Sequence, residues 1–340
     1  MRRLDRSWEA LEALDTALSL DANHAQVRFN RGLIALYLGD LEAGWPDHET
    51  RFLRTASENA YLETSIDPWR GEPIEDRRLL LWAEQGLGDT IQFARFSRLL
   101  GDLGASVTLR VQPSLVRLLA SMPGATTVQG TDAPEPSADA HAALHSIPYL
   151  LALSEADLPT GVPYLTAEAQ LIANWRKRLP TGCFRVGVTW RAGPSADGDD
   201  HRSFPAEALW PLAAVPGVTL IALQKERVAS ELTQPDAPPV CEPGGILDAG
   251  ADGFIDTAAV MAQLDVVVTC DTATAHLAGA LGCPVWVALP WSPDWRWQRG
   301  RRDSPWYPTM RLYRPTAPGD WDGIMHAMAR DLTFAAGQSP

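Results

Sequence analysis

Two carboxylates and two glycines interrupt an otherwise apolar stretch, LLLWAEQGLGDTIQFARF (Leu79–Phe96). The apolar run stops at Glu84, crosses Gly86 and Gly88, and restarts as an amphipathic segment directly after Asp89. A loop that only reversed direction would not need Glu84, Gln85 and Asp89. The stretch opens like a dinucleotide fingerprint, but Ile91 stands where the third glycine belongs, so a nicotinamide cofactor is not expected. Gly86 and Gly88 are instead expected to let the backbone turn tightly at a strand end. Asp89 then falls in the first turn of a helix, either as a plain cap or as a carboxylate presented for use.

A second stretch, VVVTCDTATAHLAGALGCPVWVALP, ends a buried strand at Cys270. Asp271 is expected to cap the next helix, leaving the N–H groups of Thr272, Ala273 and Thr274 open at its first turn. Orphan donors at the positive end of a helix suit a diphosphate. His276 is close enough in sequence to reach the same ligand. The same residues also fit a capped core helix with a hydrogen-bonded histidine. TWRAGPSADGDDHRSFP (189–205) follows a strand at Thr189 and is too polar for a minimal turn. Its Asp197–Asp199 pair imitates a metal-holding motif, but no third ligand is evident. A solvated acidic tip fits better, and no metal is expected. Arg191 and Arg202 can offset diphosphate charge as fixed cations. LIALQKE ends another strand with Gln224 and Lys225 where a nucleotide ribose or phosphate would lie.

The elements that must position these groups follow from periodicity. Residues 5–54 read as helices only, with Leu4, Leu11, Leu14 and Leu18, then Phe29, Leu33 and Leu36, then Leu41, Trp45 and Phe52 at helical spacing. A shift of 34 residues lays Ala10-Leu11 on Gly44-Trp45, which is the tetratricopeptide period. Only about one and a half repeats are present, fewer than a free-standing array needs, so these helices are expected to dock on the rest of the protein or to follow lost repeats. From residue 78 strands and helices alternate in the rhythm of a parallel sheet covered on both faces. Strands are expected at Leu79–Ala83, 107–111, 184–190, 218–224, 265–270 and 284–290. Helices are expected at Thr90–Leu103, 114–121, 168–179, 256–264, 272–282 and Trp321–Leu332, with 130–142 as loop. The expected domains are 1–55 (helical), 56–167 and 168–335 (each α/β), the last two leaving a cleft between the carboxyl ends of their sheets, where open α/β sheets place ligands.

Composition excludes several classes. A net charge of −13 argues against sequence-independent binding to nucleic acid or an anionic membrane. No apolar run approaches the ~20 residues of a membrane span, and MRRLDRSWEALEALD has no apolar leader core. A cytoplasmic protein is expected, in keeping with four cysteines that form no CxxC pair. Against the acidic background, Arg296, Arg299, Arg301 and Arg302 cluster beside Trp291, Trp295, Trp297 and Trp306. That stretch is either a wall beside the cleft or an aromatic packing cluster.

AEQGLGDTIQFARF, TWRAGP…HRSFP, the 256–297 block and DSPWYPTMRLYR together resemble tetratricopeptide-linked bacterial glycosyltransferases. These group with the ADP-heptose:lipopolysaccharide heptosyltransferases (glycosyltransferase family nine) and more distantly with protein O-GlcNAc transferases. The resemblance spans residues 20–335. It implies the GT-B fold, with two Rossmann-like domains, the acceptor on the first and the sugar nucleotide on the second. It also implies inverting chemistry without a metal. By position Asp89 matches the family's proposed general base, with Glu84 as an alternative and Gln85, Gly86 and Gly88 as the acceptor-side loop. Asp271, Thr272, Ala273 and His276 match the block that holds diphosphate and sugar. Arg202 falls where the heptosyltransferases carry a lysine, so charge is kept but a planar fork replaces a point charge. Phe254 and Ile255 fall on the loop whose backbone reads the base. The implied partners are a nucleoside-diphosphate sugar and a glycan, lipid or protein acceptor, with the helices as a site for a protein partner. A sugar-nucleotide 2-epimerase and a non-catalytic interaction protein are the competing readings.

Overall fold

The apolar run before Glu84 becomes a buried strand, β1 (Arg78–Trp82), in a computed structural model that describes residues 6–54, 62–193, 201–224, 231, 237–243 and 247–337. Leu79, Leu80, Leu81 and Trp82 are all 4% exposed or less. A strand covered on both faces has no polar side to show, which is why it reads as one apolar run. It is central in a parallel sheet of order β3-β2-β1-β4, with β2 at Ser106–Val111, β3 at Ala125–Gly130 and β4 at Ala140–Ala143. All but the last residue of β4 lies within the stretch expected to be loop. Its short Ala-rich sequence carries no strand signal. It is held by pairing with β1 on one side and by Trp69 N–H donating to His141 O and His141 N–H to Asp67 O on the other.

This sheet belongs to the first of two units, Met1–Thr160 with Asp294–Arg301. Three helices precede the sheet: α1 (Ser7–Leu20), α2 (Ala25–Leu38) and α3 (Leu41–His48), followed by a 3-10 turn at Glu49–Leu53. Gly39 ends α2 at φ 92 and Asp40 caps α3 by accepting from Ala43 N–H at 3.0 Å. α2 and α3 pack so closely at Gly32 that a Cβ there would lie 2.8 Å from the backbone nitrogen of His48. Gly32→Ala is therefore expected to cost about 1–3 kcal/mol by overpacking, read as a lower Tm in thermal melts. The helices pack onto the sheet portion of their own unit. Trp45 Nε1–H donates to Leu153 O at 3.1 Å, Arg51 is bonded to Glu84 and Ser146, and Arg299 N–H donates to Tyr37 O at 2.7 Å.

The helix expected at Thr90–Leu103 is two helices, α4 (Leu87–Phe93) and α5 (Phe96–Asp102). Buried Arg95 lies at the break and its Nε–H donates to Gln92 O at 2.9 Å, competing for a carbonyl of the helix ladder, one of the recognised causes of a helix break.

The second unit is Gly161–Pro293 with Arg302–Pro340. Its parallel sheet runs β10-β9-β8-β5-β6-β7. The strands are β5 (Phe184–Thr189), β6 (Val218–Ala222), β7 (Val240–Cys241), β8 (Val266–Cys270), β9 (Val285–Ala288) and β10 (Met310–Tyr313). Val186, Val188, Leu220, Val266 and Val268 form its core with Trp190, Phe204, Leu209 and Leu212. Ile324, Met325 and Met328 of the last helix, Trp321–Gly337, complete it. Among the described residues no helix is long and apolar enough to cross a membrane.

Candidate functional site

Within the first unit, the carboxyl ends of β1 and β4 lie side by side, with Trp82 paired to Ala143. Glu84 and His145 each follow two residues later, so the register brings them together. His145 Nδ1 lies 3.2 Å from Glu84 Oε1, and its Nε2 lies 3.7 Å from Asp89 Oδ1. Asp89 occupies the third position of α4 and accepts from Gly86 N–H at 3.0 Å. The chain turns from β1 into α4 here with Gly86 at φ −69 and Gly88 helical, so neither adopts a left-handed conformation. At Gly86 the missing side chain makes room instead, since a Cβ would sit 3.1 Å from Asp89 Oδ2. Gln85 is fixed through its carbonyl, which accepts from Gln112 Nε2 at 2.7 Å.

Two arginines from distant parts of the chain close this set. Arg51, in the turn after α3, grips Glu84 with both ends of its fork, at 2.7 Å and 2.9 Å. Both side chains are wholly buried. The same guanidinium donates to Ser146 Oγ at 2.8 Å and to Glu49. Arg296 donates to Asp89 Oδ1 at 2.5 Å, to Gln92 Oε1 at 2.8 Å and to Asp294 Oδ1 at 2.8 Å, and its Nη2 is 3.0 Å from His145 Nε2. Its guanidinium also stacks 4.4 Å from the ring centre of Trp295, which meets Trp45 edge-on at 5.4 Å. The Trp/Arg stretch at 294–297 is thus a buried part of the first unit. The side chains line up in the order Arg51, Glu84, His145, Asp89, Arg296, with Arg296 donating to His145 Nε2.

Burial disfavours the charged form of Glu84, but His145 and Arg51 outweigh it and hold the carboxyl well below the usual carboxylate range. Burial likewise opposes protonation of His145, and Glu84 with Asp89 more than offsets that, raising its pKa. His48, packed on Trp45 and Trp295, has only burial and the nearby cations Arg51, His145 and Arg296 pushing it down, against a weaker pull from Glu84, so it is held neutral. Glu84 is therefore an ionised, sequestered anion, whereas Asp89 keeps 22% of its side-chain surface exposed.

A second constellation lies at the carboxyl ends of β5, β6 and β8 in the second unit. Thr189 ends β5 opposite Thr269 of β8. Its Oγ1 is buried and makes no hydrogen bond among the described residues. Arg202 reaches the same edge, with Nη1 3.4 Å from Asp271 O and Nη2 3.2 Å from Gly193 O. The helix after β8 is Ala273–Ala280. Its N-cap is Thr272 and not Asp271 as the sequence suggested, and the Thr272 side chain makes no cap hydrogen bond. Of the first-turn N–H groups, which in general lack an intrahelical acceptor, that of Ala275 donates to Thr272 O at 2.9 Å. His276 is buried, its Nδ1 3.1 Å from Tyr307 Oη, which lies 3.4 Å from Tyr164 Oη. Arg191 pairs with Glu231 at 3.0 Å, and Gln224 accepts from Arg191 N–H at 3.0 Å. Lys225 and Asp197–Asp199 lie outside the described residues.

Phe254 precedes the helix Ile255–Met261 at φ 65, a conformation that costs a non-glycine residue of order 1–3 kcal/mol. It is held from both sides. Asp248, itself at φ 49, accepts from Asp256 N–H at 2.7 Å and from the Thr257 hydroxyl, while Asp256 accepts from Asp248 N–H and from Trp175 Nε1–H at 2.7 Å. Sequence reasoning missed Arg51, His145, Tyr307 and Asp248. A histidine closing the apolar run AALHSIP was the one available signal for His145.

No family model matches the chain. Protein FlbA of Caulobacter vibrioides is 28% identical over 349 residues, covering 92% of this chain and 56% of that protein. The chain thus spans about half the length of this curated relative. Among solved structures, a family 9 glycosyl transferase from Veillonella parvula aligns with a TM-score of 0.59 at 10% identity, over 80% of this chain and 100% of that one. The ADP-heptose lipopolysaccharide heptosyltransferase II of E. coli aligns with a TM-score of 0.56 at 14% identity, over 77% and 99%. At such identities the likeness is one of fold. The α/β fold with parallel sheets matches GT-B-like glycosyltransferases.

Proposed function

We propose that the chain is a metal-independent, inverting glycosyltransferase that moves a sugar from a nucleoside diphosphate to a glycan, lipid or protein acceptor. The observation that carries this reading is the meeting, at one edge of the second sheet, of three features. They are the Arg202 guanidinium, the start of the Ala273–Ala280 helix, where the Thr272 side chain makes no cap hydrogen bond, and the buried Thr189 hydroxyl without a hydrogen-bond partner among the described residues. A cation beside open helix N–H groups offsets the charge that develops on a departing diphosphate. His276, oriented by Tyr307, serves the sugar, and the strained Phe254–Ile255 turn serves the nucleotide base. The fold match to an enzyme that uses ADP-heptose supports a sugar nucleotide as donor. In the first unit Asp89 is the general base. It takes the proton of the acceptor hydroxyl as that oxygen bonds to the anomeric carbon and the nucleoside diphosphate leaves with the bonding electron pair. The N-terminal helices are read as tetratricopeptide-like and as a place for a protein partner, in a cytoplasmic protein.

One observation favours a second reading. Asp89 bonds both Gly86 and Arg296, which also suits a purely structural carboxylate in a non-catalytic interaction protein. Calorimetric titration with UDP, ADP, GDP and CMP, with and without EDTA, tests the donor site. One nucleoside diphosphate is expected to bind regardless of EDTA, and Arg202→Ala is expected to weaken it about tenfold or more, since a hydrogen bond to a charged group is worth about 1.5–3 kcal/mol. Absence of binding to all four sinks the transferase reading.

A further inference from the structure

The chain of charges behind Asp89 has no part in the reaction as written, yet Arg51, Glu84 and His145 are almost wholly buried. Resting on the reading of Asp89 as base, we propose that Arg51, Glu84 and His145 form a positioning relay for it, so that the N-terminal helical segment supplies part of the catalytic apparatus. The geometry runs in one direction. Arg51 clamps both oxygens of Glu84, and Glu84 faces His145 Nδ1 at 3.2 Å. The His145 ring, 4.2 Å from the ring of Phe93, places its Nε2 3.7 Å from Asp89 Oδ1 and 3.0 Å from Arg296 Nη2, so it reaches Asp89 through charge and through the shared arginine. Arg296 meets both His145 Nε2 and Asp89 Oδ1 from the other side.

Burying an arginine–glutamate pair this deeply is costly, and such pairs are often no more stabilising than apolar replacements. A role in orientation accounts for keeping it. The groups that face the His145 ring are Glu84 and Asp89, which favour its charge, and His48, Arg51 and Arg296, which oppose it. Burial works against the charged form, and the two carboxylates prevail. The state of His145 is thus set by Glu84, and the orientation of Asp89 by both. Arg51 belongs to the turn that follows α3, and the same helices hold the Arg296 segment through Trp45 and Tyr37.

The test uses the full chain and four variants, Arg51→Lys, Glu84→Gln, His145→Gln and Asp89→Asn. Turnover is read as nucleoside diphosphate released from ADP-heptose, UDP-glucose, UDP-N-acetylglucosamine and GDP-mannose with water as acceptor. Histidine side chains are followed by nitrogen NMR across pH 5–9, with His145→Gln supplying the assignment. In the wild type His145 is expected to titrate above the ordinary histidine value and to move down in Glu84→Gln. Glu84→Gln and His145→Gln are expected to lower kcat about 100-fold, the scale of a small misplacement of a reacting group. KM for the donor should stay within about twofold and the pH–rate limb should shift, while Arg51→Lys, which keeps the charge beside Glu84 but loses the two-point grip, should lose less kcat than either. The wild-type titration keeps the test informative where a variant fails to fold. A His145 that titrates at or below the ordinary value in the wild type overturns the proposal. So does a kcat within twofold in His145→Gln with an unshifted pH profile while Asp89→Asn is inactive. A rate untouched by Asp89→Asn overturns the base assignment itself and this proposal with it.

Discussion

Asp89→Asn is expected to slow sugar transfer by about 10²–10⁴-fold, the range contributed by a positioned general base, with nucleoside diphosphate binding unchanged. The substitution conserves size. Its amide oxygen can still accept from Gly86 N–H, as Asp89 Oδ2 does at 3.0 Å, so the start of α4 should survive. What is lost is a carboxylate able to take a proton and the ion pair with Arg296 at 2.5 Å. Asp89 is partly exposed and the buried Arg296 keeps its pair with Asp294 at 2.8 Å, so the loss should stay on the order of 1 kcal/mol. Rate and stability therefore part company. A large fall in rate with a small fall in Tm identifies the base. Transfer within tenfold of wild type identifies a structural carboxylate, and the non-catalytic reading gains. Asp89→Glu separates charge from position, since it keeps the carboxylate but pushes it one methylene away from Gly86 and toward Arg296.

How far the sequence carried the site depends on where each partner lies. Strand ends and the polar loops that follow them are legible, because a buried parallel strand is an apolar run and the next residues must leave the sheet. Asp89, Thr189, Arg202 and Thr272 stand in such places, and the geometry puts Arg202 against the Asp271 carbonyl. Glu84 stood out as a carboxylate at a strand end, but its surroundings did not. Its partners are Arg51, 33 residues earlier, and His145, two residues beyond a strand whose AHAA sequence has no β-branched character. The Asp89–Arg296 bond spans 207 residues, and no local pattern encodes a contact at that distance. The helix break at Arg95 was hidden for a related reason: apolar spacing continued unbroken through Phe96 and Leu100, and only the buried guanidinium shows where the ladder is interrupted. Helix capping failed more subtly. Asp271 is the better capping residue by type, but β8 extends through Cys270 and the helix begins at Ala273, which moves the cap to Thr272.

Arg51→Met is expected to produce the largest loss of stability, about 3–5 kcal/mol, because removing one partner of a buried pair leaves the other charge unpaired. On a unit of this size that is a fall in Tm on the order of 10 °C. The pH dependence has a definite sign. Glu84 is held below the usual carboxylate range, so its pairing stabilises the fold above the unfolded carboxyl value near 4.5 and is lost as pH falls beneath it. His48 is held neutral, well below 6.5, so the folded state also loses stability as pH drops from 6.5. His145 is raised; its contribution is present below 6.5 and disappears as pH rises through its folded value. Two of the three oppose acid, so the Tm of the wild type should fall below about pH 6.5 because His48 resists protonation, and fall further beneath about pH 4.5 because Glu84 does. Arg51→Met should flatten the lower part of that fall, because Glu84 loses much of what kept it ionised. The double variant Arg51→Met with Glu84→Leu removes both charges, and thermal melts should show most of the stability returning. If rate returns with it, the pair was only a structural brace. If the protein regains its Tm and stays slow, then the charges served to hold His145 and Asp89 in place.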